Sequence, residues 1–294
     1  MNTSAHLVPF IKGHGTENDF IIVVDPAASL DLAPEIIQAL CNRHSGIGAD
    51  GLLRVAHAGA LQEGGYISEL AEGINATHWF MDYYNADGSV AEMCGNGLRV
   101  FAHVLCVEGL VGTTEFTVGT RAGARRVRVL AADPHRAMVS VDMGSVQVRG
   151  LSTCTVAGQA FAGLAVSTGN PHLACVVPGM TAEHLNSLEM APPVFDRDFF
   201  PSGVNVEIIA LKPGGDIYMR VYERGVGETR SCGTGTVAAA VAALADRGDT
   251  TGTLHVGVLG GEVTVEITED RAILSGPSQI VARGTIDLKA YTDR

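Results

Sequence analysis

Two cysteines stand in the same unusual setting. Cys94 lies in "EMCGNGLRVFAHVLCVEG", which starts at Glu92, and Cys232 lies in "SCGTGTVAAAVAALADRG", which starts at Ser231. Each is followed by a Gly-x-Gly turn and then by an apolar helical stretch. A cysteine there sits at a helix start, where the first N–H groups lack intrahelical partners and the dipole favours negative charge. That setting predicts a thiol with a lowered pKa. The glycines let a ligand approach the backbone closely and expose N–H groups to it. Taken singly, such a cysteine reads as a small structural hydrophobe. Two in one repeated context point to chemistry. A thiolate removes a proton from one face of a carbon acid, and a thiol returns one to the other. The helix starts then stabilise charge developing on a substrate carboxylate.

The elements that position these cysteines repeat as well. "WFMDYYNADGSVAEMCGNG" (79–97) aligns with "IYMRVYERGVGETRSCGTG" (217–235), placing Met81, Tyr84, Cys94, Gly95 and Gly97 on Met219, Tyr222, Cys232, Gly233 and Gly235. The pattern is strand, a connection from Tyr to Cys, a glycine turn, then helix. It predicts two similar α/β domains, with a boundary near Met143. Gly109 and Gly248 fit the C-terminal ends of the two helices. The second helix is apolar on every face, so it is expected to be wrapped by a sheet. Elsewhere, short Val/Ile-rich strands alternate with Gly/Pro turns: "FIIVVD", "DGLLRVA", "RVRVLAA", "AMVSVDMG", "HLACVVP", "NVEIIAL", "TLHVGVL" and "EVTVEIT". "APEIIQALCNRH" has helical spacing, with Asp31 as its expected cap.

Composition narrows the class. The chain has 294 residues, 46% apolar and 18% charged, with a net charge of −12. That balance is expected of a soluble globular protein, and it argues against nucleic acid or an anionic membrane as a partner. Arg125, Arg126 and Arg128 read as a solvated strand face. The longest apolar run, Val237–Ala245, is too short to cross a bilayer. No signal-peptide pattern opens the sequence, and Cys41, Cys94, Cys106, Cys154, Cys175 and Cys232 do not make a disulfide scaffold in a chain of this length. A cytoplasmic location is expected, with Cys41, Cys106, Cys154 and Cys175 buried and inert. "GIGADG" (46–51) matches a dinucleotide fingerprint in letters, but it follows a helix and precedes a strand, the wrong order. No metal site is expected: there is no HExxH, and neither motif cysteine has a CxxC partner. Asp50, Asp82 and Asp87 read as turn or capping residues, and Asp19 as support for its loop. Only Lys12, Lys212 and Lys289 could form a Schiff base, and none has a phosphate-binding context, which favours catalysis without a cofactor.

With these motifs the chain resembles the diaminopimelate epimerases, pyridoxal-phosphate-independent enzymes of lysine and cell-wall biosynthesis. The resemblance is carried by "GTENDF" (15–20), "NRHSGIGADGLL" (42–53), "YNADGSVAEMCGNG" (84–97), "STGNPH" (167–172) and "VYERGVGETRSCGTGT" (221–236). It implies two pseudo-symmetric domains, each a mixed, mostly antiparallel sheet around a central helix, spanning residues 1–142 with 277–294 returning, and 143–276. It implies epimerisation of LL- to meso-diaminopimelate with no cofactor, and Cys94 and Cys232 as the acid/base pair. It further implies substrate contacts at Asn18, Asn85, Asn170, Asn205, Glu223 and Arg224, a carboxylate cradle at Gly95–Asn96 and Gly233–Thr234, and an active-site role for His172. Two positions depart from the family pattern: Glu17 stands where glycine is usual, and Gly51 where glutamine is common.

Chemistry is consistent with these assignments. A two-ended amino acid inverted at one end must be gripped at the other, and an arginine fork, asparagine amides and a glutamate suit a carboxylate and an ammonium. Competing readings are a proline racemase or phenazine-type isomerase, a dithiol redox protein, and a non-catalytic amino-acid-binding protein. Monomer or homodimer is left open.

Overall fold

The computed structural model describes residues 7–292. The chain divides into two compact units. One comprises the residues through Gly15, Asp19–Val139 and the residues from Pro277 onward; the other comprises Thr16–Asn18 and Ser140–Gly276.

In the first unit, the apolar run Phe20–Val23 forms a strand (Asn18–Val24) with both faces buried, as a continuous hydrophobic stretch requires. It pairs in parallel with Gly51–His57, which pairs antiparallel with Trp79–Asn85. Leu7–Gly15 pairs antiparallel with the end of the long strand Ala272–Asp287, from Leu7 opposite Asp287 to His14 opposite Gln279, with a register shift between Lys12 and Gly13. The helix Gly95–Val107 is packed among these strands, with Leu98, Val100, Phe101 and Val104 fully buried.

A short helix, Pro34–Cys41, covers Ile21, Val23 and Leu52 with Ile36, Ile37 and Leu40. Its cap residue is Ala33, with no side-chain cap bond, so Asp31 does not have the expected role. Pro34 explains this. Its fixed φ and missing N–H suit the first helical position, which sets the start two residues beyond the reach of Asp31.

Asp82 also departs from its expected role as a turn residue. It is fully buried on strand Trp79–Asn85, 2.9 Å from Arg54 and 2.6 Å from Arg121. The Arg54 guanidinium lies 4.2 Å from the Tyr66 ring centre, so the 58–78 segment covers this ion pair. That segment contains a short helix, Ala58–Glu63, and packs Ile67, Leu70 and Ile74 against Leu61 and Phe80.

In the second unit, the hairpin Gln147–Val156 and Gln159–Ser167 turns through Ala157 and Gly158, both with positive φ. Such a turn matches the strand twist. Pro171–Val176 runs parallel to Asn205–Leu211, which pairs antiparallel with Ile217–Glu223. Gly252–Val258 and Gly261–Ile267 complete a second hairpin. The helix Gly233–Asp246 packs against strands from all these groups, and Val237–Ala240 are fully buried. Alanine at these positions keeps the helix narrow enough for strands to close on it. The C-cap residue of each helix, Glu108 or Arg247, is followed by a glycine in the left-handed region, Gly109 at φ 66° and Gly248 at φ 81°. Among the described residues no helix is long and apolar enough to cross a membrane, and no group of three or more His, Cys, Asp or Glu side chains could hold a metal.

Candidate active site

Each cysteine is the N-cap of its helix. Cys94 has φ −143° and ψ 117°, and its Sγ accepts the Gly97 N–H at 3.3 Å. Cys232 has φ −127° and ψ 117°, and its Sγ accepts the Gly235 N–H at 3.4 Å. The extended backbone of the capping residue turns each sulfur back over the first helical turn. The third N–H is thereby used, and the first two of each helix, at Gly95 and Asn96 and at Gly233 and Thr234, are N–H groups that an α-helix does not bond internally.

The surroundings of the two sulfurs differ. Cys94 is partly exposed. On its helix lies Arg99, fully buried, donating Nε–H to the Pro277 carbonyl at 3.2 Å. Burial pulls the Arg99 pKa down to about 10, while negative charge on Cys94 acts against that fall. Asn85 bonds locally: its N–H donates to the Ser89 carbonyl and its amide to Ser89 Oγ at 3.0 Å, closing the turn before Cys94. Gly51 pairs with Asn85 in the sheet, and a β-carbon there would fall 2.4 Å from the Tyr84 carbonyl oxygen. Glycine at 51 thus lets the strands meet beside Asn85. Asn18 is half-buried. Its neighbour Asp19 receives bonds from Lys12, Arg43 and the Asp50 N–H, which accounts for Asp19 as loop support. Glu17 adopts φ 61°, the region where a glycine is unstrained, and its carboxylate is held by Arg230.

Cys232 is 6% exposed. Burial, and then the negative charge of Glu223, push its thiol well above the ordinary range. The lowered pKa expected from the helix start does not hold here: withdrawal from water and two nearby acids, Glu223 and Glu207, outweigh the N–H groups. Cys106, expected to be buried, is partly exposed, whereas Cys41, Cys154 and Cys175 are buried. The difference between the two motif cysteines has a direct test. Iodoacetamide at neutral pH labels Cys94 before Cys232 in peptide mapping; equal rates would contradict the described environments.

Strand alternation places Asn205 and Glu207 on one face, together with His172 on the neighbouring strand, where His172 pairs with Asn205. Asn205 is engaged at both ends: Nδ2 donates to the Pro171 carbonyl at 3.1 Å, and Oδ1 accepts the Arg224 N–H at 2.9 Å. It therefore shapes the Arg224 turn in addition to any contact with a ligand. The Arg224 side chain is exposed and donates to the Ser202 carbonyl at 2.6 Å, leaving most of its fork available. Glu223 accepts from Thr229 Oγ1 at 2.5 Å and from Cys232, and withdrawal from water raises its carboxyl. His172 is fully buried, with Nδ1 2.7 Å from Glu207 Oε1 and Nε2 2.9 Å from Asn170 Oδ1.

Glu207 and Arg99 are the residues that sequence reading did not single out. The signal for both is a charge inside an apolar element, "NVEIIAL" and "LRVFAHVL".

A sequence profile described as "Diaminopimelate epimerase" matches residues 10–149 and 164–281. The chain is 61% identical to the diaminopimelate epimerase of Corynebacterium aurimucosum over 95% of its own length and 99% of the relative. It is 57% identical to that of Corynebacterium glutamicum over 96% and 99%. Among solved structures, a phenazine biosynthesis protein of Bacillus anthracis shares the fold, with a TM-score of 0.68 at 17% identity, covering 95% of this chain and 99% of that one.

Proposed function

The chain belongs to the diaminopimelate epimerase family, and on that premise we propose that Cys94 and Cys232 carry out its reaction as a two-base pair. The activity is isomerisation: inversion of one α-carbon converts LL-diaminopimelate into the meso isomer. The observation that carries the residue assignment is the matched capping geometry, with each sulfur over a glycine-rich first turn of a buried helix.

The chemistry follows from that geometry. The thiolate of one cysteine takes the α-proton, and the electron pair of the broken C–H bond spreads into the carboxylate. N–H groups at Gly95–Asn96 and Gly233–Thr234 meet that developing charge. The other cysteine gives its S–H proton to the opposite face, and the two cysteines end with exchanged protonation states. Because burial and Glu223 hold Cys232 as the thiol, a cycle entered from this state begins with Cys94 as the base. A low-dielectric setting strengthens each of these interactions. Lys12 and Lys212 are engaged with Asp19 and Glu262, which supports a reaction without a Schiff base. Six free thiols suit a reducing, cytoplasmic setting.

The non-reacting end is held by Asn18, Asn85, Asn170, Asn205, Glu223 and Arg224 in this proposal. The test is conversion of LL-diaminopimelate by pure protein without added cofactor, followed by chiral chromatography, in wild type and Arg224→Lys. Lysine keeps the charge and loses the planar fork. We expect meso product from wild type and a loss in kcat/KM of about 10- to 100-fold in the variant, the worth of about one bidentate contact. No meso product would remove the function; wild-type kinetics in the variant would remove Arg224 from the site.

A further inference from the structure

Glu207 is a carboxylic acid in an otherwise apolar strand, at 0% exposure, and its Oε2 has no partner among the described residues. An apolar side chain would fill that place at lower cost, because a buried acid is unfavourable unless it is paired. Its one partner is the equally buried His172, at 2.7 Å. The other titratable groups whose charge reaches it, Glu223, Cys232, Cys154 and Cys175, are all acids, so none supplies a compensating cation.

A fully buried pair of this kind is stable when it is neutral overall. Two arrangements meet that condition: carboxylate with imidazolium, and carboxylic acid with imidazole. In both, one proton lies between Glu207 Oε1 and His172 Nδ1, and a second remains on Nε2. The Nε2–H therefore donates to the atom 2.9 Å away, Asn170 Oδ1, which also accepts from Thr168 Oγ1 at 3.1 Å. With its oxygen filled from two sides, the Asn170 amide has only N–H donors left to offer. A donor pair suits a carboxylate and disfavours an ammonium.

Building on the function proposed above, we propose that Glu207 is a positioning residue that acts through His172 to lock Asn170 with its amide donors presented to the substrate's carboxylate. Glu207→Gln keeps the size, but its amide can donate to Nδ1 or accept from it, so His172 is no longer committed to Nε2–H. Asn170 is then released to turn its oxygen toward the carboxylate.

The experiment has two arms. In kinetics with diaminopimelate, Glu207→Gln raises KM about tenfold, with the smaller share of the loss in kcat, while Glu207→Gln added to Asn170→Ala costs no further activity. Equal losses in both backgrounds would show that Glu207 does not act through Asn170 and would overturn the proposal. The second arm uses wild-type protein with 15N-labelled histidine. NMR should find a proton on His172 Nε2, and a bare Nε2 would also overturn it. This arm needs neither a folded variant nor turnover. A wild type without epimerase activity thus removes the proposed function while the Nε2 reading stands or falls separately.

Discussion

Cys94→Ala and Cys232→Ala each lower diaminopimelate epimerisation by about 10³-fold or more, in both directions, with the fold retained. A positioned acid or base contributes about 10²- to 10⁴-fold. In a two-base reaction each cysteine is the base in one direction and the acid in the other, so neither direction survives the loss of either. Structural cost is small by comparison. Cys94 is partly exposed, and truncating Cys232 in its buried site costs about 1 kcal/mol, because one heavy atom is removed from the cap. Steady-state rates measured from both isomers, together with thermal melts, check this. A variant that keeps wild-type epimerisation would mean that its cysteine only fills space, as an amino-acid-binding protein would allow.

The two matched glycines in the helix caps give a second large effect, and an unequal one. A β-carbon at Gly235 falls 2.6 Å from Glu207 Oε1, whereas one at Gly97 meets Cys94 Cβ at 3.4 Å and Leu53 and Phe20 at 3.5 Å. The first distance is a clash; the second set is ordinary contact. The Glu207 oxygen is a side-chain end, but its bond to the buried His172 limits where it can go. Gly235→Ala therefore displaces Glu207 and the cap of Cys232 together, with an expected loss in kcat/KM of about 10²-fold, on the scale of a misplaced catalytic group. Gly97→Ala stays within about threefold of wild type, since alanine also favours a helix by about 1 kcal/mol over glycine. Paired kinetics of the two variants decide the matter. Equal losses would mean that the glycines serve the same close approach of a ligand, and that the Glu207 contact is incidental.

The repeat was readable because it is written in residues with strong local preferences. Glycines at 95, 97, 109, 233, 235 and 248 mark helix starts and ends, and Val/Ile runs mark strands buried on both faces. The mixed, strand-rich α/β class followed from these signals. What stayed hidden depends on contacts between distant segments. Asp82 looks like a turn residue until Arg54 and Arg121 close on it, and Asp31 looks like a cap until Pro34 sets the helix start. The helix-start argument lowers a thiol's pKa only if water stays. At Cys232 burial reverses its sign; the apolar pattern announced burial of the helix, but not of the thiol and the two acids at its cap. Asn205 was legible only through the family resemblance, and its bonds to Pro171 and Arg224 required the parallel register of two strands. Glu207 was visible only as an anomaly in "NVEIIAL", because its partner lies 35 residues away.

Proton exchange in deuterium oxide tests the two-base claim most directly. In the proposed mechanism each cysteine serves one face of the α-carbon and exchanges its own proton with solvent. The wild-type enzyme should deliver deuterium to the inverted carbon from the first turnover. With one cysteine replaced by Ala, the remaining thiol still exchanges a proton on its own face, slowly, without its acid partner. NMR loss of the α-proton signal, followed for each stereoisomer with each variant, should then show Cys94→Ala exchanging one isomer only and Cys232→Ala exchanging the other. Exchange of the same isomer by both variants would contradict the account and require a single base.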